Sequence, residues 1–183
     1  MRRSRLSIIF ILVVAAASLM LRTRLPESLK DSSQASPQPA VQAIASTTLY
    51  DVVRVVDGDT IKVMMDGRAT TVRLIGVDTP ETVKPDTPIQ CYGPEASAEM
   101  HALLDGKRVS LEMDPTQDRY DAYGRLLAYV FLQDGTLVDE LLITDGFGKE
   151  YTFKDRPYEY QAEFRSAEAT ARRAGKGLWG ACR

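Results

Sequence analysis

Short runs of alternating apolar and polar residues recur after residue 48 and predict strands, with longer helical patterns between and after them. Two of the runs flank Asp66-Gly67, a dipeptide typical of a two-residue hairpin because glycine accepts a positive φ. The clearest helical pattern ends at Gly175, where a left-handed cap is expected. The predicted strands are residues 52–56, 60–65, 70–77, 109–113 and 126–131, and the predicted helices are residues 94–104, 137–144 and 157–174.

Five short strands with about three α-helices indicate an α+β fold that is mainly β. A chain of 183 residues is long enough for one domain with a substantial core, but short for two. The five-stranded OB-fold barrel is the natural architecture for this set of elements. We therefore expect one barrel domain over residues 48–183, preceded by a hydrophobic segment at the N-terminus.

The first 47 residues differ in pattern from the rest. Three arginines among the first five residues precede an uncharged run of 16 residues, from Leu6 to Leu21. A basic start and an apolar run are typical of an export signal, although this run is long for a cleaved signal and short for a membrane span. Residues 1–24 are therefore predicted to be a signal peptide or a signal anchor, with a buried helix of the domain as the alternative. Residues 25–47, rich in Ser, Gln, Ala and Pro, are predicted to be a disordered linker. Export leaves the domain membrane-anchored on the extracytoplasmic side, or secreted or periplasmic after cleavage.

The formal net charge of −2 hides an uneven distribution along the chain. Residues 1–47 carry a balance of +4, so the remaining residues sum to −6. A domain that holds nucleic acid by bulk electrostatics is basic, and this composition therefore argues against stable binding of that kind. Contacts with phosphates would depend on a few placed cations or on a metal ion.

Two acidic motifs lie next to predicted strands. Asp57-Gly58-Asp59-Thr60 places two carboxylates around a glycine, and Asp78-Thr79-Pro80-Glu81 places two more in a loop stiffened by proline. Each motif alone can be a solvated turn, because Asp, Gly and Pro are common turn residues. Carboxylate oxygens are also the ligands that calcium prefers. The motifs indicate either two turns or a site for a hard cation.

Two arginines accompany these acids. Arg73 interrupts an otherwise apolar strand, and Arg125 follows a tight bend at Gly124 and opens the next strand. A structural salt bridge for Arg73 and an exposed hairpin position for Arg125 are the simpler interpretations. The alternative is phosphate binding, for which the planar guanidinium group is well shaped. Two arginines and several acids at strand ends supply what phosphodiester cleavage requires, namely neutralising cations, a base and fixed donors.

Four blocks of the sequence resemble the thermonuclease (staphylococcal nuclease-like) family, in the family's order and with closely matching separations. They are Val-Asp-Gly-Asp-Thr-Ile-Lys-Val at 56–63, Arg-Leu-Ile-Gly-Val-Asp-Thr-Pro-Glu-Thr at 73–82, Tyr-Gly-Pro-Glu-Ala-Ser at 92–97 and Asp-Ala-Tyr-Gly-Arg-Leu-Leu-Ala-Tyr at 121–129. The resemblance covers roughly residues 49–179. It implies an OB-fold barrel with three helices and one calcium ion.

The resemblance also implies roles for individual residues. The implied calcium ligands are the carboxylates of Asp59 and Asp78 and the backbone carbonyl of Thr79. Glu81 would hold or deprotonate the attacking water, and Arg73 and Arg125 would bind the phosphate and its transition state. All six positions of the family pattern are kept in this chain.

The expected substrate-binding aromatic residues are Tyr123 and Tyr151. A second tyrosine of the family pattern falls on Phe153, which has a stacking face but no hydroxyl, and a substrate-side lysine falls on Ala122. Because the domain also carries a net charge of −6, we expect weaker substrate binding than in a basic relative, with catalysis intact.

The resemblance places the C-terminal Trp179 segment near the first predicted helix, which would bring together Cys91 and Cys182, the only two cysteines. We expect a disulfide between them, which an exported protein would keep; two unpaired thiols are the alternative. The implied activity is calcium-dependent endonucleolytic hydrolysis of DNA and RNA, preferably single-stranded, by a monomer that leaves 3′-phosphate ends. The competing hypothesis is a non-catalytic module that binds nucleic acid or protein.

Overall fold

The computed structural model describes residues 48–82 and 87–182, which belong to one structural unit. The predictions for residues 1–24 and 25–47 lie outside the described residues. No helix in the described part of the chain is long and apolar enough to cross a membrane.

Five strands close into a barrel in the order β1-β2-β3-β6-β5. Their bounds are Tyr50–Asp57 (β1), Thr60–Met65 (β2), Arg68–Leu74 (β3), Arg108–Glu112 (β5) and Leu126–Phe131 (β6). Neighbouring strands are antiparallel except β3 and β6, which run parallel. The two short strands β4 (Val77–Asp78) and β7 (Lys149–Glu150) form a separate antiparallel pair. The predicted five-stranded barrel and mainly β fold class are therefore confirmed.

Alternation along β2 and β3 separates the core from an outer face. The apolar side chains of these strands are buried inside the barrel, and they are Ile61, Val63, Val72 and Leu74. The residues between them form two cross-strand pairs on the outer face, Thr60 with Arg73 and Lys62 with Thr71. The hairpin that joins the strands has φ values of 50° at Asp66 and 74° at Gly67, as the Asp-Gly signal predicts.

Helices cover one side of the barrel and extend its core. Their bounds are Gly93–Leu104 (α1), Val138–Thr144 (α2), Gln161–Ala174 (α3) and the single turn Leu178–Ala181 (α4), with a 3₁₀ turn at Phe153–Asp155. The apolar face of α1 buries Met100 and Leu104, and α3 buries Phe164. Gly175 ends α3 with a φ of 63°, in the expected left-handed cap.

Two element boundaries lie three or four residues from the predicted ones, whereas the others agree within two residues. Strand β3 ends at Leu74 instead of residue 77, because Gly76 turns the backbone with a φ of 75° before β4 begins. Helix α3 begins at Gln161, four residues later than predicted. The preceding segment is held out of the helix because Tyr158 is buried, while the backbone N–H of Glu159 donates to Asp114.

Candidate active site

The predicted chemical residues share one cleft of about 1060 Å³ at the outer face of the barrel. The eight are Asp59, Arg73, Asp78, Thr79, Glu81, Tyr123, Arg125 and Tyr151. They come from the turn before β2, the end of β3, strand β4 and the loop after it, the turn before β6 and the segment after β7. Residues up to 92 positions apart in the sequence, Asp59 and Tyr151, therefore meet at one place. The roles assigned to these residues stay predictions.

Asp59 links the two acidic motifs. Its side chain is buried, with the residue only 7% exposed, and its Oδ2 accepts a hydrogen bond of 3.0 Å from the backbone N–H of Thr79. The same oxygen lies 3.0 Å from Nη2 of Arg73. The other carboxylate oxygen accepts a hydrogen bond of 3.0 Å from the hydroxyl of Thr60. Asp59 therefore anchors the loop after β4 to the start of β2.

Gly58 allows this close approach. A Cβ atom at this position would lie 2.5 Å from Oγ1 and 2.9 Å from Cβ of Thr79. Only glycine lets the turn between β1 and β2 pack directly on the threonine, whose carbonyl is an implied metal ligand. The Asp-Gly-Asp motif is thus a turn, and its packing is also part of the site.

Arg73 has its guanidinium group fixed from two sides. Nη1 donates hydrogen bonds of 2.7 Å to the carbonyl oxygens of Leu74 and Val77, and Nη2 lies 3.0 Å from Asp59 and 3.2 Å from Asp78. The side chain is 11% exposed. The salt bridge considered from the sequence therefore exists. It holds the guanidinium group in the cleft, and this position is compatible with phosphate binding.

The acids of this cleft disfavour each other's ionisation. Burial and the neighbouring charge of Asp59 raise the pKa of Asp57 to about 6. Burial likewise raises the pKa of Asp78, although the adjacent Arg73 favours its charged form. The three carboxyl groups of Asp57, Asp59 and Asp78 therefore carry more potential negative charge than Arg73 alone can neutralise.

A hard cation fits this donor set, because it would relieve that repulsion and take carboxylate and carbonyl oxygens. In residues 48–82 and 87–182, no three Asp, Glu, His or Cys side chains by themselves form a metal-holding cluster. A cation bound by Asp59 and Asp78 would thus also need main-chain oxygens, such as that of Thr79, or water.

The main chain of Glu81 is clamped by the residue before Cys91. The side-chain Oε1 of Gln90 accepts a hydrogen bond of 3.0 Å from the N–H of Glu81, and the N–H of Gln90 donates one of 3.0 Å to the carbonyl of Glu81. A Cβ at Gly93 would lie 3.1 Å from that same carbonyl oxygen, so α1 begins in direct contact with this loop. Gln90 and the start of the Tyr-Gly-Pro-Glu block therefore fix the main chain of Glu81.

Arg125 is oriented by Asp121 across a tight bend. Its Nε lies 2.6 Å from Oδ2 of Asp121, whose Oδ1 accepts hydrogen bonds of 2.9 Å from the N–H groups of Tyr123 and Arg125. These bonds outweigh burial and hold the pKa of Asp121 below its ordinary value. The guanidinium carbon lies 5.3 Å from the ring centroid of Tyr123, which is 85% exposed.

A second aromatic group borders the cleft after β7. The rings of Tyr151 and Phe153 have centroids 6.4 Å apart, and the ammonium group of Lys154 lies 5.0 Å from the Phe153 ring. The N–H of Tyr151 donates to the carbonyl of Gly76, which ties this segment to the end of β3. Both rings are substantially exposed, as a stacking surface for bases requires.

Several cleft residues were given no individual role from the sequence. They are Arg54, Lys62, Lys154 and Arg156 among the cations, and Asp57, Asp118, Tyr120 and Asp121 among the others. Lys62 carried a usable signal, since it lies two residues after Thr60 and shares the outer face of β2. Arg156 carried none, because only the tertiary fold brings it to Asp118, with a contact of 2.8 Å.

The predicted disulfide between Cys91 and Cys182 is present, with a Cα–Cα distance of 5.9 Å. It joins Cys91, two residues before α1, to Cys182, which directly follows α4. Trp179 of that last turn packs between Arg172 and Lys149, with cation-to-ring distances of 4.5 Å and 5.7 Å. The terminal segment is therefore fixed beside the elements that carry the cleft.

A closed five-stranded barrel with arginines and carboxylates in one cleft fits a hydrolase of the nuclease class. Residues 71–181 match the family model for staphylococcal nuclease homologues, which is more than half of the chain. The chain belongs to this family, as its four sequence blocks predict, and the predicted enzyme class is confirmed.

Curated relatives agree with this membership. The thermonuclease of Staphylococcus hyicus is 38% identical over 170 residues, which cover 92% of this chain and 95% of the relative. The thermonuclease of Staphylococcus intermedius is 42% identical over 130 residues, covering 71% of this chain and 75% of the relative. Endonuclease YncB of Bacillus subtilis (strain 168) is 41% identical over 126 residues, covering 69% of this chain but only 59% of the relative.

Proposed function

We propose that this protein is a calcium-dependent endonuclease that hydrolyses phosphodiester bonds in DNA and RNA and leaves 3′-phosphate ends. The observation that carries the proposal is the convergence of Arg73, Glu81 and Arg125 on one cleft with two carboxylates suited to a hard cation. Nuclease names among the relatives support the reaction class. The finer claims, on the metal, the sugar and the products, follow from the family resemblance.

In the proposed reaction, calcium held by Asp59, Asp78 and the carbonyl of Thr79 would supply positive charge at a phosphoryl oxygen. Glu81 accepts a proton from the attacking water or orients it in line with the leaving oxygen. Its main chain is fixed by Gln90, and its Oε1 accepts a hydrogen bond of 2.9 Å from the N–H of Thr82, which orients the carboxylate.

The arginines meet the charge that develops on the phosphoryl oxygens. Arg125 reaches Asp121 through Nε, and within the described residues its terminal nitrogens make no hydrogen bond to protein. They are therefore placed to bind a phosphate with two parallel hydrogen bonds. Arg73, fixed by two carbonyl oxygens, brings a second preorganised cation to the same cleft.

A non-catalytic binding module is the alternative function. It would need no general base and no metal ligands, whereas this cleft contains Glu81, Asp59 and Asp78 together. A net charge of −6 after residue 47 also disfavours retention of nucleic acid without turnover. Catalysis is therefore the better explanation of the cleft.

We further propose that the protein prefers single-stranded substrate, acts as a monomer and works outside the cytoplasm. Exposed Tyr123 and Tyr151 offer stacking faces to unpaired bases. The Cys91–Cys182 disulfide is of the kind that persists in oxidising compartments, in agreement with the basic and apolar start of the chain. Fractionation of expressing cells tests the location, and activity confined to the cytoplasm would contradict it.

Activity of the full chain on plasmid DNA, single-stranded DNA and RNA, with calcium or with chelator, tests the central proposal. Arg125→Ala is expected to lower turnover by roughly 10²-fold or more, since it removes a preorganised donor. Arg173→Ala on the exposed face of α3 is the matched control, because Arg173 lies outside the cleft. Absence of calcium-dependent cleavage by the wild-type protein would refute the proposal, and so would near-normal turnover of Arg125→Ala.

A further inference from the structure

A row of polar side chains crosses the barrel beside Arg73. Lys62 on β2 pairs with Thr71 on β3 and with Arg54 on β1. Directly opposed residues of neighbouring strands project to the same face, and all three line the cleft that contains Arg73. We call Arg54, Lys62 and Thr71 the basic row.

The two cations of this row differ from the other arginines of the cleft. Arg73, Arg125 and Arg156 each contact a carboxylate. Neither Arg54 nor Lys62 makes an ion pair or a side-chain hydrogen bond within the part of the chain that the structure describes. Two neighbouring cations without an anionic partner favour an external anion.

The position of the row suits a phosphate next to the one at the catalytic arginines. Lys62 and Thr71 lie two residues along their strands from the Thr60–Arg73 pair. At about 3.3 Å per residue the two pairs are roughly 6.6 Å apart. This separation is comparable to one nucleotide step of an extended backbone, so a strand bound at Arg73 has its neighbouring phosphate within reach of Lys62.

We propose that Arg54 and Lys62 form a second phosphate subsite, which binds the backbone phosphate adjacent to the scissile one. Thr71 on β3 and Arg54 on β1 flank Lys62 from its two neighbouring strands. The inference rests on the proposed nuclease function and adds the path of the substrate. The bound strand would run from the catalytic residues over β3, β2 and then β1. It also gives a local source of attraction to a domain that is acidic as a whole.

The subsite has a characteristic salt dependence. For single strands, each neutralised phosphate contributes roughly 0.7 to the slope of log affinity against log salt. Over the decade from 1 M to 0.1 M salt this slope corresponds to about a fivefold change in affinity for the one phosphate that the subsite neutralises. The enzyme should therefore favour oligonucleotides over substrates with a single phosphate, and the preference should fade at high salt.

The test compares kcat/KM of the full chain on a single-stranded decathymidylate and on a chromogenic thymidine diester that carries one phosphate. In Arg54→Gln/Lys62→Gln, the preference for the decamer is expected to fall roughly fivefold at 0.1 M salt, with a shallower salt slope. Lys62→Arg alone should keep the wild-type preference for the decamer, since it keeps the positive charge of Lys62. Arg173→Gln is the matched control and should leave the preference as in the wild type. An unchanged preference in the double variant, or an equal loss in the control, would overturn the subsite.

Binding separates this inference from the proposed function. Fluorescence anisotropy of a labelled decamer, with chelator present to prevent turnover, reports the subsite whether or not the protein cleaves. If the wild type cleaves neither substrate, the nuclease proposal fails, and a salt slope equal in wild type and double variant rejects the subsite as well. A slope about 0.7 units shallower in the double variant supports it on binding alone.

Discussion

The disulfide between Cys91 and Cys182 should supply a large share of the stability of this domain. The bridge closes a loop with a sequence separation of 91 residues, joining the start of α1 to the end of α4. In the loop-entropy relation, a cross-link of this length restricts the unfolded chain by about 4.6 kcal/mol at 25 °C. Because native domains are stable by only ~5–15 kcal/mol, the loss of the bridge should be readily measurable.

Urea unfolding of the full chain and of Cys91→Ala/Cys182→Ala measures this contribution. With an m-value of about 2 kcal/mol per molar urea, the midpoint of the double variant should lie roughly 2 M lower. The wild-type protein in excess reductant should unfold at nearly the same urea concentration as the variant. The variant itself should not respond to reductant, which makes it the internal control.

Two results would refute this reasoning. One is a difference in unfolding free energy of less than about 1 kcal/mol, which would show that the unfolded chain is already restricted. The other is an equal response of the double variant to reductant, which would show that the reagent acts elsewhere. A changed m-value would place the effect in the compactness of the unfolded state.

Three further outcomes follow from the site and its supports. Glu81→Gln should lower turnover by roughly 10²-fold or more while leaving the unfolding midpoint unchanged, since an amide cannot accept the proton; near-normal turnover would remove Glu81 from catalysis. Gly58→Ala should raise the calcium concentration needed for activity, because the new Cβ would lie 2.5 Å from Oγ1 of Thr79; an unchanged calcium titration would contradict this. Burial disfavours the charged form of Asp114, but hydrogen bonds from Thr116, Tyr129 and Glu159 outweigh it and hold its pKa below the ordinary value. The charged Asp114 therefore stabilises the folded domain fully above the unfolded pKa of about 4. This stabilisation is lost as the pH falls through the folded pKa. Urea unfolding across this range should therefore show that Asp114→Asn destabilises most above about pH 4 and progressively less in acid, and a penalty independent of pH would refute the assignment.

Much of the site could be predicted from local sequence because its parts are short motifs with strong backbone requirements. The Asp-Gly-Asp-Thr and Asp-Thr-Pro-Glu blocks identify Asp59, Asp78, Thr79 and Glu81, and the structure places all four in one cleft. The hairpin at Asp66-Gly67 follows from the same cause, since a two-residue turn demands positive φ at both positions.

The misplaced start of α3 shows where local pattern fails. Residues 157–160 continue the helical spacing, but the hydroxyl of Tyr158 reaches Glu150 at 3.0 Å and the N–H of Glu159 reaches Asp114 at 2.7 Å. Those partners lie 8 and 45 residues away. Helix propensity is worth only tenths of a kcal/mol per residue, so such contacts decide the boundary.

The sequence by itself determined the family, the barrel, the reactive residue types and the turns that present them, because periodicity and turn chemistry are local properties. Only the tertiary structure decided which groups touch. It placed Asp59 against Thr79 and Arg73, Gln90 against Glu81, and it set the register that brings Arg54 and Lys62 into one row. These contacts depend on strand pairing and on burial across the whole domain, and neither can be read from any single segment of the chain.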